Sequence, residues 1–162
     1  MNKNSNESSK KIGASSAVAA MIMLDDGRFL LQLRDAKPDI YYPAHWGFFG
    51  GAVDDGETPE QALLRELEEE LKFVPQNFSR FTNFDFDFSF SGCGVLYRTY
   101  YTVPIPTAHL GKLVLGEGAG MNAFTPEAIL SGIPVVPYDS FALWLYVNQK
   151  RIVPGNKRCG YK

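Results

Sequence analysis

The stretch Gly51 to Phe73, GAVDDGETPEQALLRELEEELKF, constrains the fold more than any other part of the chain. Its middle predicts a helix with a marked start. Thr58 can cap, Pro59 suits the first helical position, and Gln61 can complete a capping box. Leucines and glutamates then run to about Leu71. On a helical wheel Leu63, Leu64, Leu67 and Leu71 share one face, so this helix needs an apolar partner. Glu66, Glu69 and Glu70 fall within about 100° of one another on the adjacent stripe, with the small Ala62 beside them.

The flanking segments supply that partner. Ala17 to Leu24 and Phe29 to Arg34 are apolar runs joined by Asp25-Asp26-Gly27-Arg28, a hairpin signal. A Pro- and Tyr-bearing loop, Asp35 to His45, leads to the apolar Trp46-Gly47-Phe48-Phe49 and the glycine pair Gly50-Gly51. Beyond the helix, Phe84, Phe86, Phe88 and Phe90 alternate with Asp85, Asp87 and Ser89, the period of a half-buried strand. Ser91 to Gly94 predicts a turn and Val95 to Val103 a returning strand; Leu113 to Leu115 and Met121 to Phe124 are shorter strand candidates. Thr125-Pro126-Glu127 opens a short helix to Leu130, and Asp139 or Ser140 can cap a last helix to about Gln149. Interspersed strands and helices without a repeat predict a mixed sheet covered by helices, an α/β (α+β) class.

With 162 residues, 45% hydrophobic and 21% charged, one domain spanning residues 16–155 is expected, between polar tails at 1–15 and 156–162. The formal charge of -2 gives no broad basic field, so no long nucleic acid is expected as partner. No stretch approaches the ~18 apolar residues of a membrane span. Cys93 and Cys159 match no metal or disulfide framework, and a reducing, cytoplasmic setting is the simpler expectation.

A glutamate-rich helix is most often a solvated face. Here the acids repel one another and lie toward the helix C-terminus, where the dipole disfavours them. Both penalties point to a compensating cation, and oxygen ligands of this kind suit Mg²⁺ or Mn²⁺.

The residues before and within the helix resemble the Nudix hydrolase box, GX5EX7REUXEEXGU, where U is bulky and apolar. Gly51, Glu57, Arg65, Glu66, Leu67, Glu69, Glu70 and Phe73 match, and Lys72 stands where the pattern has glycine. The resemblance implies an α/β/α sandwich and metal-dependent hydrolysis of a diphosphate bond in a nucleoside diphosphate-linked substrate. It implies Glu69 and Glu70 as principal metal ligands, and Glu66 as a ligand or base. Arg65 would position the acids through Glu57, and the Gly50 carbonyl would reach the metal. A lysine at the box glycine would have to adopt a left-handed helix end, at a cost on the order of 1 kcal/mol.

Glu117, between Gly116 and Gly118, is a candidate extra ligand or general base, with an ordinary loop glutamate as the plain alternative. Tyr42, Trp46 and Arg34 are candidate substrate contacts, although loop packing explains aromatic residues there equally well. The lead-in LLQLRDAKPDIYYPAHWGFFGG is similar to that of nucleoside diphosphate-sugar hydrolases and favours a sugar nucleotide over a nucleoside triphosphate. A module that binds nucleotides without cutting them is the alternative from another class, and a decapping-type enzyme is a third. The Phe84 to Phe90 strand is also a candidate homodimer edge.

Overall fold

The computed structural model describes residues 15–92 and 94–152. The expected tails, 1–15 and 156–162, lie outside the described residues apart from Ser15, as do Cys93 and Cys159.

Among the described residues six strands form one mixed sheet: β1 (Ser15–Leu24), β2 (Phe29–Leu33), β3 (Trp46–Gly47), β4 (Ser79–Asp87), β5 (Val95–Ile105) and β6 (Gly120–Phe124). The main order is β3-β2-β1-β5-β4, with β6 paired to β2 off this path. β1 and β5 run parallel, and the hairpin β1–β2 is antiparallel about Gly27, whose φ of 86° the turn requires.

Alternation along β1 sets the two layers. Val18, Ala20 and Ile22 face α1 (Pro59–Leu71), which buries Ala62, Leu63, Leu67 and Leu71 against them. Ala19 and Met21 face the opposite side, where Ile129 of α2 (Pro126–Ser131) and Ala142 and Leu143 of α3 (Pro137–Ile152) cover the sheet. The result is the expected α/β/α sandwich. Among the described residues no helix is long and apolar enough to cross a membrane.

The start of α1 follows the sequence closely. Thr58 Oγ1 accepts the Gln61 amide at 3.2 Å, and the Thr58 amide donates to Gln61 Oε1 at 2.8 Å. At the other end Lys72 holds φ 51° and ψ 39° and donates back to the Leu67 and Glu68 carbonyls. Its left-handed strain is offset by local hydrogen bonding and by Phe73 packing on the core.

Three expectations change. The strand at Phe84 begins earlier, at Ser79, and ends at Asp87; Phe88 and Phe90 lie beyond it, with Ser89–Ser91 forming a 3₁₀ turn. Leu113 to Leu115 is no strand. The Val114 amide donates to the Leu71 carbonyl at 3.1 Å and the Gly116 amide to the Glu70 carbonyl at 2.7 Å. These carbonyls, orphaned at the end of α1, recruit the segment that would otherwise pair in the sheet. Finally, Asp139 and Ser140 do not cap α3, which starts at Pro137. The Asp139 side chain points into the protein instead.

Candidate active site

The glycine pair is held by β1. The Val18 amide donates to the Gly51 carbonyl at 2.9 Å and the Ala20 amide to the Phe49 carbonyl at 2.8 Å. This laces residues 49–52 along one edge of β1. Gly50 has φ 124°, and a Cβ there would meet the Val18 carbonyl oxygen at 2.4 Å, so no other residue fits. A Cβ on Gly51 would lie 2.5 Å from the Glu66 carboxylate. The glycines let the chain press directly on the acids of α1.

Glu70 is the deepest of these acids, only 7% exposed. The Gly50 amide donates to its Oε2 at 2.7 Å, and Gln32 Nε2 donates to its Oε1 at 3.2 Å. Burial pushes its carboxyl up to about 7; the Gly50 amide opposes this, while Glu66 and Glu117 add to it. Burial likewise raises Glu66 against the pull of Arg65, with Glu69 and Glu117 raising it further. These acids crowd one another in a poorly hydrated place, an electrostatic setting that a divalent cation with oxygen ligands fits.

Arg65 gathers the remaining acids. It grips Glu57 with both ends of its fork, Nε to Oε1 at 2.9 Å and Nη2 to Oε2 at 3.0 Å. Nη1 donates to Glu66 at 2.8 Å and to Glu69 at 3.3 Å, and Nη2 to the Ala52 carbonyl at 2.9 Å. Glu57 is thereby held below the usual carboxylate range. With the guanidinium as counter-charge, Glu66 and Glu69 turn toward Arg65, and Glu69 stays half exposed. Among the described residues, no three acidic, His or Cys side chains already form a metal cage. The expected convergence of Glu66, Glu69 and Glu70 on one centre is therefore incomplete as the side chains stand.

Glu66 and Glu70 open into a cavity of about 430 Å³, which Gly50, Gly51, Arg34, Tyr42 and Glu117 also line. Glu117 reaches it because Gly116 approaches α1 so closely that a Cβ would meet the Glu69 carbonyl oxygen at 2.1 Å. Gln32 also donates to the Glu117 carbonyl at 3.0 Å. Arg34 donates from Nε to the Tyr41 carbonyl at 2.8 Å, and Tyr42 stands edge-on to Tyr138 with centroids 5.8 Å apart. Trp46 does not join the cavity wall. Its ring packs edge-on against Phe124 at 4.7 Å within the core, so packing, not substrate contact, explains it.

The sequence reading missed Gln32, Arg98, Asp139 and Tyr138. Each carried a signal: Gln32 interrupts the apolar Leu30 to Leu33, and Arg98 alternates with Tyr100 on one face of an aromatic strand. Asp139 is fully enclosed, accepting the Phe48 amide at 2.9 Å and the Tyr100 hydroxyl at 3.2 Å, with burial raising its carboxyl against the pull of Arg98.

Comparison with known proteins converges on one family. Two curated Escherichia coli (strain K12) proteins match over short stretches. The 8-oxo-dGTP diphosphatase is 51% identical over 41 residues, 25% of this chain and 32% of that protein. The CTP pyrophosphohydrolase is 46% identical over 54 residues, 33% and 38% respectively. The matched stretches thus span about a third of these relatives' own length. The solution structure of the E. coli ORF135 protein superposes with a TM-score of 0.68 at 28% identity, covering 88% of this chain and 94% of that one. The NUDIX domain model matches residues 14–141, and the chain belongs to that family.

Proposed function

We propose that this protein hydrolyses a diphosphate bond in a nucleoside triphosphate or another nucleoside diphosphate-linked substrate, with Mg²⁺ or Mn²⁺ as cofactor. The observation that carries this reading is the pair Glu66 and Glu70, pressed against the glycine pair and open to a nucleotide-sized cavity. Glu66 and Glu70 would hold the cation, with Glu69 at the rim and the Gly50 backbone close by. When bound, the ion would offset charge on the phosphate oxygens and activate water.

The chain's own residues supply positioning and proton transfer. Arg65 fixes the Glu66 carboxylate, and an acid already accepting an arginine hydrogen bond is a weaker base. Glu117 is therefore assigned the proton from the attacking water, on a loop pinned by Gln32. Arg34 and Tyr42 would meet the remainder of the substrate. Relatives named for 8-oxo-dGTP and CTP favour a nucleoside triphosphate over the sugar nucleotide suggested by the lead-in to the box.

The test is incubation with Mg²⁺ or Mn²⁺ and CTP, GTP, 8-oxo-dGTP, ADP-ribose or UDP-glucose, following phosphate-bearing products. Turnover of at least one is expected, and Glu70→Gln should lower it by on the order of 10²–10³-fold while leaving the far-ultraviolet dichroism unchanged. Full activity in Glu70→Gln would remove Glu70 from the assigned role. Tight binding with no products would assign the chain to non-catalytic nucleotide binding.

A further inference from the structure

Arg98 is a buried cation whose hydrogen-bonding capacity the protein leaves unused. It is 7% exposed and lies on β5 opposite Ala17, across β1 from the glycine pair. Among the described residues its one ionic partner is Asp139, with Nε 3.4 Å from Oδ1, and Nε makes no hydrogen bond. Asp139 is occupied with the Phe48 amide and the Tyr100 hydroxyl. Among the described residues nothing accepts a hydrogen bond from the guanidinium; Nε alone is enclosed without a partner, while the two terminal nitrogens keep access to the cavity that Arg98 lines, their donors free for a ligand. It instead lies over aromatic faces, 5.2 Å from the Tyr138 ring centroid and 5.8 Å from that of Tyr100.

Arg98 also lines the cavity that holds Glu66 and Glu70, together with Tyr42, Phe88 and Tyr138. The charge of the arginine is balanced by Asp139, so this wall does not call for an anion. The acids across β1 already serve the metal and the phosphates in the proposed reaction. What the wall offers is a planar fork of donors beside aromatic surfaces, suited to a flat, neutral ring with acceptors on one edge.

We propose that Arg98 reads the nucleobase, selecting rings that present two adjacent acceptors: the O6/N7 edge of guanine or the O2/N3 edge of cytosine. Adenine places a donor beside N7, and uracil places a donor between its carbonyls, so neither pairs with both prongs of the fork. This assignment rests on reading the cavity as a nucleotide site and adds a specificity determinant to it.

Binding of CMP, GMP, AMP and UMP to the intact protein, measured by calorimetry, tests the assignment without needing turnover. Preference for CMP and GMP over AMP and UMP by about 10-fold or more is expected. Arg98→Lys keeps the charge beside Asp139 but loses the planar fork, and the double variant Arg98→Met/Asp139→Asn removes both buried charges together. In each the ratio of CMP to AMP affinity should collapse toward one, with dichroism confirming the fold of at least the lysine variant. Equal binding of all four nucleotides, no binding of any, or a preference that survives in a folded variant overturns the proposal. If the preference is present and depends on Arg98 but no nucleotide is hydrolysed, the hydrolase reading fails while the base-reading role stands.

Discussion

On one side of β1 the cavity is lined by Glu66 and Glu70 of α1 and by Glu117, on the loop docked against that helix's end. On the other side stand Arg98 of β5 and Tyr138 of α3, backed by Asp139. The acidic side is local in sequence and is bound up with backbone constraints: a capped helix, a left-handed residue at its end, and two glycines pressed against β1 and Glu66. The arginine side is assembled from distant segments and rests on side-chain packing. In the proposed function, chemistry and recognition are therefore separable, because different elements would carry them.

The largest expected effect lies on the acidic side. Glu70→Gln should lower kcat for every accepted nucleotide by on the order of 10²–10³-fold while leaving their ranking intact, whereas Arg98 variants should change the ranking. Steady-state kinetics on CTP, GTP and ATP separates the two, and a ranking altered by Glu70→Gln would break the comparison.

The glycines sharpen it next. In Gly50→Ala the new methyl meets the Val18 backbone at a φ disfavoured for alanine, so stability should fall by several kcal/mol, on the order of 3. In Gly51→Ala the methyl meets the end of the Glu66 side chain, which can move. Turnover should drop about 10-fold or more with little change in melting temperature, since small misplacements at reacting groups are costly. Equal destabilisation by the two variants would contradict this.

The pH dependence follows from Glu70. Its folded carboxyl titrates near 7, against a reference of 4.5, so the folded state holds the proton more tightly than the unfolded chain. The stability contributed by protonation is complete below 4.5 and is lost as pH rises through about 7, by up to about 3 kcal/mol. Metal-free thermal unfolding should show this decline, and Glu70→Gln should flatten it. The smallest effect is Lys72→Gly, which should stabilise by about 1 kcal/mol because glycine carries no left-handed penalty.

The same contrast explains what could be read from the chain. Thr58, Pro59 and Gln61 announce the helix through contacts within four residues, and the stripe of Glu66 and Glu70 follows from helical geometry. The docking of Val114 and Gly116 on the helix end could not be read this way, because it depends on carbonyls more than forty residues earlier. Asp139 looked like a cap by local rules, yet the Phe48 amide and Tyr100 hydroxyl, both non-local, compete for its carboxylate and win. The packing of Trp46 could not be read locally for a like reason, since its partner Phe124 arrives with β6.

Ala17 pairs with Ala52 on one edge and with Arg98 on the other. Two interstrand spacings, roughly 10 Å, therefore separate the backbone of the acidic side from that of the arginine side. This interval is a fixed gauge: it belongs to the ladder and no rotamer can stretch it. Longer or bulkier substrates would have to be accommodated outward, through Tyr41, Tyr42 and the Glu117 loop, while the span between the two grips stays constant.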